Sequence, residues 1–448
     1  MTTHIIRPAR FAWAAAAALV CAGAAFGQAE QRAAFLANNG NLEGSVTSYL
    51  VNEDGSLDFV DKYITGEHDS GGFHYGTNAY SISITPDGSH LAIGHATGDP
   101  PPGWQPGRQI TILAVNDDAT VEEVFNFLTV DTPLDVQWLS DNHLAVTRTS
   151  LSLGSEIRVF EIDFDAGQET QIEQVDAGAF CAAIALHPSG DYLYAEATFD
   201  GNSIRTFAVN EDYTLTRLDT LDTGSTFPLG LNVAPNGQWL YAAGGISNGG
   251  DKVQGHAVDP DDGTLSPIAG SPFTSLGSSP RQVVISSDSD VAIAGHGSDG
   301  NAHTFTIDQS TGALSATPHM FDGGGQGNLQ DMDVLDDLLL VPGQGFGSSN
   351  PQGLATLSIG SDGSLTLVND YVDSQGISPN AVVGWSPEAP TSPADLTGDG
   401  TVGGADLGIL LSEWGECADP DDCPADLNGD GTVGGADLGI LLSEWTSN

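Results

Sequence analysis

Ser81-Ile82-Ser83-Ile84-Thr85-Pro86-Asp87-Gly88-Ser89-His90-Leu91-Ala92-Ile93 reads as a strand, a tight turn and a second strand. β-Branched and apolar residues alternate with small polar ones, and the break falls on Asp-Gly, a pair that turns easily. The same sentence recurs as Ile184-Ala185-Leu186-His187-Pro188-Ser189-Gly190-Asp191-Tyr192-Leu193-Tyr194 and as Leu231-Asn232-Val233-Ala234-Pro235-Asn236-Gly237-Gln238-Trp239-Leu240-Tyr241. Pro188 and Pro235 are 47 residues apart, and Pro86 and Pro188 are 102 apart, which leaves room for a degenerate copy at Ser140-Asp141-Asn142. Further degenerate copies fall at Asp288-Ser289 and Asp336-Asp337.

A second hairpin follows each copy. Its turns are Asp54-Gly55, Ala166-Gly167, Asp262-Gly263, Thr311-Gly312 and Asp362-Gly363, with looser versions at Asp117-Asp118 and Asp212-Tyr213. Outer hairpins therefore number seven and inner turns six. The missing inner strand is supplied by Asn380–Trp385, the last β run before a Pro-rich stretch. Four-stranded units at a period of roughly 40–50 residues are propeller blades. The expectation is an all-β seven-bladed propeller over residues 30–385, closed by its own C-terminal strand so that no sheet edge is left free.

With these residues in view, the region resembles the lactonase-type seven-bladed propeller family, which includes bacterial 6-phosphogluconolactonases and fungal muconate-cyclising enzymes. The resemblance is carried by Ile285-Ser286-Ser287-Asp288 preceded by Ser279-Pro280-Arg281. It implies hydrolysis of a small lactone. Arg281 matches the Pro-Arg step at a blade start, Glu196 an acidic position after a second strand, and Arg148 a basic one. Gln282 and Ala182-Ala183 stand where histidines are expected.

Propeller topology sorts residues by face. Positions just before the first strand and just after the second share one rim of the central channel. That reading brings His74, His95, Arg148, Glu196, Arg281 and His296 to one mouth. Ester hydrolysis needs a base for water and a donor for the oxyanion. His74, His95, His296 or Glu196 is the expected base. Arg281 and Arg148 are expected to hold the oxyanion or a ligand carboxylate, since guanidinium binds such groups bidentately.

Charge narrows the partners. The chain of 448 residues has 60 Asp plus Glu against 11 Lys plus Arg, a formal charge of −49. No Lys or Arg follows Arg281. Such a surface repels phosphate, which argues against nucleic acid, anionic membranes and a phosphorylated substrate. Divalent cations are attracted instead.

The N-terminus reads as an address. Arg7 and Arg10 precede the apolar run Phe11–Phe26, with small residues before Gly27. This is the pattern of a signal peptide over residues 1–27, too short to span a bilayer comfortably. No later segment reads as a membrane span, so a secreted, periplasmic or cell-surface location is expected. After cleavage three cysteines remain. Cys417 and Cys423 are close enough to pair in an oxidising compartment, and Cys181 sits in an apolar stretch.

Residues 386–393 form a Pro-rich linker. Beyond it, residues 394–414 and 425–445 are the same segment twice, differing only at Thr397 and Asn428. Each copy opens with a calcium loop. Asp395, Thr397, Asp399, Thr401 and Asp406 occupy positions 1, 3, 5, 7 and 12 of the first, and Asp426, Asn428, Asp430, Thr432 and Asp437 those of the second. Thr397 is a poorer oxygen donor than Asn428, so the first of the two calcium sites is expected to be weaker. Leu407, Leu410, Leu411 and Trp414, and their copies Leu438, Leu441, Leu442 and Trp445, follow at helical spacing. Paired loop-helix units without a preceding helix resemble a type I dockerin over residues 394–448, which implies a small all-α EF-hand-like domain and a cohesin-like scaffold as partner. The whole reads as an exported lactonase-like hydrolase on a dockerin tail, or alternatively a non-catalytic propeller that binds carbohydrate or protein at the cell surface.

Overall fold

The computed structural model describes residues 31–67, 75–96, 108–129, 131–150, 154–199, 202–224, 229–244, 250–323, 329, 331–343, 353–387, 394, 396, 402–417, 423–443 and 445. The segment read as a signal peptide, His74, most of the linker and four of the five residues expected in the first calcium loop (Asp395, Thr397, Asp399 and Thr401) lie outside them.

Seven antiparallel sheets follow one another along the chain. Blade 1 is built from Ala33–Asn39, Glu43–Val51 and Leu57–Glu67, and its innermost strand is Pro379–Trp385 from the far end of the region. Phe35 faces Val383 and Leu36 faces Val382 in that closing pair. The run expected from the strand count to complete the ring does so. Blades 2 to 7 begin at Ala79, Val136, Ile184, Gly230, Pro280 and Asp333. Blade 5 carries an extra short strand, Phe273–Thr274, paired with Lys252–Val258.

The core is not central. It is divided into seven apolar clusters, one between each pair of neighbouring blades. Between blades 2 and 3, Ile110, Ile112 and Ala92 meet Val136, Trp138 and Leu144. Between blades 7 and 1, Leu335, Leu340 and Leu354 meet Leu36, Tyr49 and Val382. Alternation along each strand sends side chains to both faces, so each sheet is apolar on two sides and must be sandwiched. Only a ring provides this for every blade without an exposed apolar end. Cys181 is fully buried in one such cluster, as a small apolar residue.

Polar contacts between blades repeat as well. The Tyr194 hydroxyl donates to the Gly263 carbonyl at 2.9 Å, and that of Tyr241 to Gly312 at 2.8 Å. In the next two blades a threonine does the same: Thr304 to Gly363 at 2.8 Å and Thr356 to Gly55 at 2.7 Å. Each acceptor lies in an outer hairpin turn, where the backbone has a positive φ suited to glycine.

At the C-terminus, Gly404–Ser412 and Gly435–Ser443 form two equivalent helices. Leu410 and Leu441 are fully buried with Val402, Val433 and Ala425. Only part of each repeat's apolar set is enclosed. Leu411, Trp414, Leu442 and Trp445 are 40–54% exposed. Leu411 lies about 100° round the helix from Leu410, and the helix ends before Trp414, so neither continues the buried stripe. Cys417 and Cys423 form a disulfide. No helix among the described residues is long and apolar enough to cross a membrane.

Candidate active site

The inner strands present their free edges to the channel, so their outward backbone groups need other partners. Aspartates supply some of these. Asp135 accepts the Ile184 N–H across the boundary of blades 3 and 4 at 2.9 Å. Asp331 accepts Val382 N–H at 3.2 Å and Asp333 accepts Gly384 N–H at 2.7 Å. These carboxyls are enclosed by protein yet touch the channel. Burial pushes the carboxyl of Asp135 up to about 7 and that of Asp333 to about 6, against the N–H bonds they accept. Asp331 is pushed to about 8 by burial and by the neighbouring Asp333.

At one end the channel opens into a cavity of about 210 Å³, lined among others by Tyr80, Asp135, Phe180, Arg281, Asp331 and Asn380. It continues into a channel space of about 430 Å³ that shares Asp135, Gln282 and Asp331. Arg281 reaches the cavity because of a register shift: Pro280 pairs with His296 and Gln282 with Gly295, leaving Arg281 in a bulge. Among the described residues its guanidinium has no ion pair or hydrogen bond, and its Nε is buried without a partner. Arg148, Arg158 and Arg205, by contrast, are each held by carboxylates. Arg281 is half-buried, and leaving the enclosed part of its guanidinium without a partner is costly. Asn380 donates to the Tyr80 carbonyl at 2.6 Å and joins the first and second blades beside it.

The other residues expected at the mouth go elsewhere. His95 is fully buried in blade 2, with Nδ1 against the Thr77 carbonyl and Nε2 against the Thr111 hydroxyl, each at 3.0 Å. Burial holds it down at about 4. His296 is fully buried, bonded to Ser275 and to the Asn301 carbonyl, and burial lowers it too. Arg148 pairs with Asp131 and with Glu156. Glu196 is buried behind the cavity wall, accepting the Ala182 N–H at 3.1 Å; burial raises it strongly, and its second oxygen has no partner. None of these four lines the cavity. The topological rule placed strand ends on the correct rim, but pleat direction decides whether a side chain enters the channel or the gap between blades.

The phenol, carboxyl and amide residues that do line it were missed as site residues: Tyr80, Asp135, Gln282, Asp331 and Asn380. A signal existed. Asp135, Asp331 and Asp333 sit at or just before inner strands, where an acid in an apolar run needs a reason.

In the second C-terminal loop, Asp426 accepts N–H groups from Asp430 at 3.1 Å and Gly431 at 2.6 Å, and Asp437 reaches back to Asn428 N–H at 3.1 Å and Gly434 N–H at 2.7 Å. Gly431 has φ +85°, the turn that position 6 requires. Asp406 bonds Gly403 N–H in the same way at 2.7 Å. The donor chemistry suits a hard cation, though no group of three acidic, His or Cys side chains among the described residues is gathered to metal-ligand spacing.

The molecule is thus a seven-bladed propeller with a cationic, acid-lined channel mouth. A family model described as lactonase, 7-bladed beta-propeller matches residues 152–273 and 246–329. A Bacteroides uniformis protein provisionally assigned as a 6-phosphogluconolactonase superposes with a TM-score of 0.63 at 15% identity, over 79% of this chain and 99% of its own. The periplasmic gluconolactonase of Pseudomonas aeruginosa does so with 0.61 at 14%, over 80% and 99%. At these identities the likeness is one of fold. No match is found among curated proteins.

Proposed function

We propose that the chain is an exported lactonase-like hydrolase that opens a small, unphosphorylated lactone at the channel mouth. The observation that carries this reading is the unpaired Arg281 guanidinium in a cavity flanked by two carboxyls that titrate near neutrality, Asp135 and Asp331. The lactonase family match over part of the propeller supports it. Asp135, the more acidic of the two, takes a proton from water as it adds to the lactone carbonyl. Arg281 receives the developing oxyanion. Asp331, protonated at neutral pH, gives its proton to the departing ring alkoxide, so a C–O bond forms and another breaks with protons balanced through solvent. The histidines named from the sequence take no part in this scheme.

The C-terminal repeats belong to the same proposal. Asp426, Asn428, Asp430, the Thr432 carbonyl and Asp437 would hold one calcium ion, the equivalent residues of the first repeat a second. The exposed Leu411, Trp414, Leu442 and Trp445 then offer an apolar face to a cohesin-like scaffold, so the tail acts as a dockerin. Calcium would supply a rigid loop geometry and no chemistry.

The test is turnover of a panel of sugar lactones by the full chain, followed by acid release. Turnover by the parent chain that Arg281→Ala and Asp135→Asn both lose supports the reading. A panel with no turnover would leave the propeller as a binding scaffold and reject the hydrolase.

A further inference from the structure

On the face opposite the mouth, where the turns joining each blade's first and second strands emerge, blades 4 and 5 are separated by a groove of about 590 Å³. At the corresponding place between blades 2 and 3, His90 is stacked on Phe164 with ring centres 3.7 Å apart. Between blades 3 and 4, His143 is stacked on Tyr213 at 3.8 Å. In both, the first residue of a blade's second strand meets an aromatic from the next blade's outer hairpin. In blade 4 that first residue is Tyr192, and the hairpin residue it meets is Gly263, so close that a Cβ there would lie 2.5 Å from the ring. Here the hairpin backbone itself packs on the Tyr192 ring in place of a second aromatic ring, and the groove lies beside it.

Its walls mix apolar rings with neutral and acidic hydrogen-bonding groups. Tyr192 and His187 meet edge to face at 5.8 Å. Trp239 lines the other side, only 8% exposed, and its indole N–H has no acceptor. Buried N–H groups are nearly always satisfied, and this one, enclosed in the Trp239 wall, has no acceptor within the protein. Asp191, Asp259 and the Asn236 amide complete the rim, all exposed. Two carboxylates exclude a phosphate or uronate. Aromatic rings suit the apolar C–H faces of a pyranose, and carboxylates, amide and indole N–H suit its hydroxyls.

We propose that this groove is a carbohydrate-binding site for a segment of a neutral polysaccharide, independent of whatever chemistry occurs at the mouth. An extended chain fits an open groove that a single sugar would not fill. Together with the tail, the site would hold the propeller on a glycan surface.

The full chain, with calcium present, is titrated calorimetrically with cellohexaose, xylohexaose and mannohexaose, and with glucose as the monomer arm. At least one hexasaccharide is expected to bind, and glucose not to. Tyr192→Ala should weaken that binding at least tenfold and Trp239→Phe, which keeps an aromatic ring but removes the N–H with the pyrrole part of the indole, several-fold. Arg281→Ala should leave it unchanged, and Tyr192→Ala should leave lactone turnover unchanged. Gln238→Ala, an exposed change on the same wall, covers the case in which Tyr192→Ala fails to fold. Absence of binding to all three hexasaccharides at millimolar concentration overturns the proposal. So does binding that survives the Tyr192, Trp239 and Gln238 changes, or that is lost with Arg281.

Discussion

Asp333 crosses the seam of the ring to Gly384: its carboxylate accepts the glycine N–H at 2.7 Å, although the two residues lie 51 positions apart. Asp331 does the same for Val382. The last strand of the propeller is thus held by hydrogen bonds to blade 1 on one side and by two aspartates of blade 7 on the other. Replacing Asp333 with Ala leaves a channel-side N–H without its partner. A loss of about 1–3 kcal/mol is expected, read as a lower denaturant midpoint, while Asp333→Asn, which keeps an acceptor, should retain most of it. An unchanged midpoint for the alanine variant would remove the seam from the stability of the ring.

The same aspartates make stability depend on pH. Asp135 and Asp331 bind protons more tightly in the folded chain, at about 7 and about 8, than in an unfolded one, where a carboxyl titrates near ~4. The folded state therefore holds more protons between these limits, and stability falls as pH rises through them. Asp331→Asn should raise the melting temperature relative to the parent chain at pH 9 and make little difference at pH 4. A benefit that was largest at low pH would contradict the assignment.

Activity should report the same groups. The proposed acid and base predict a bell-shaped kcat/KM with limbs near 7 and 8, the pair titrating together. His95→Gln and His296→Gln should lower thermal stability without moving either limb. A limb displaced by a histidine change would return catalysis to the residues named from the sequence.

Arg281→Ala should reduce kcat by roughly 10²–10³-fold, the usual cost of one oxyanion donor. Because its Nε is buried without a partner, the change should not lower the melting temperature. Arg281→Lys should recover part of the rate but not a bidentate contact. A rate loss that merely tracks lost folding would be seen in thermal melts of the same samples.

Calcium should order the tail. Titration of the full chain is expected to show two sites, the second repeat the tighter. Asp437→Asn should weaken that site while leaving propeller melting unaltered. Lack of any calcium-dependent heat or change in circular dichroism would reject the module.

Much of this fold was legible from turn chemistry alone. Asp-Gly, Ser-Gly and Asn-Gly steps marked hairpins because few residues accept the required backbone angles, and counting seven outer against six inner turns exposed the borrowed strand. The C-terminal repeats were legible because near-identical copies carry the same oxygen spacing. The site was much less so. His95 and His296 have the residue type expected of a base, but their imidazoles are committed to Thr77, Thr111, Ser275 and Asn301. Local sequence does not say which way a pleated strand points its side chains.

What the amino-acid order determined by itself is therefore the number of blades, the closing strand, the acidic surface and the loop-helix duplication, because each depends on contacts between near neighbours or on composition. Only the tertiary structure decided that Arg281 stands unpaired among Asp135, Asp331 and Tyr80. Those residues come from blades 6, 3, 7 and 2, and the perturbed affinity of the two carboxyls for protons arises from burial, which exists only once the ring has closed.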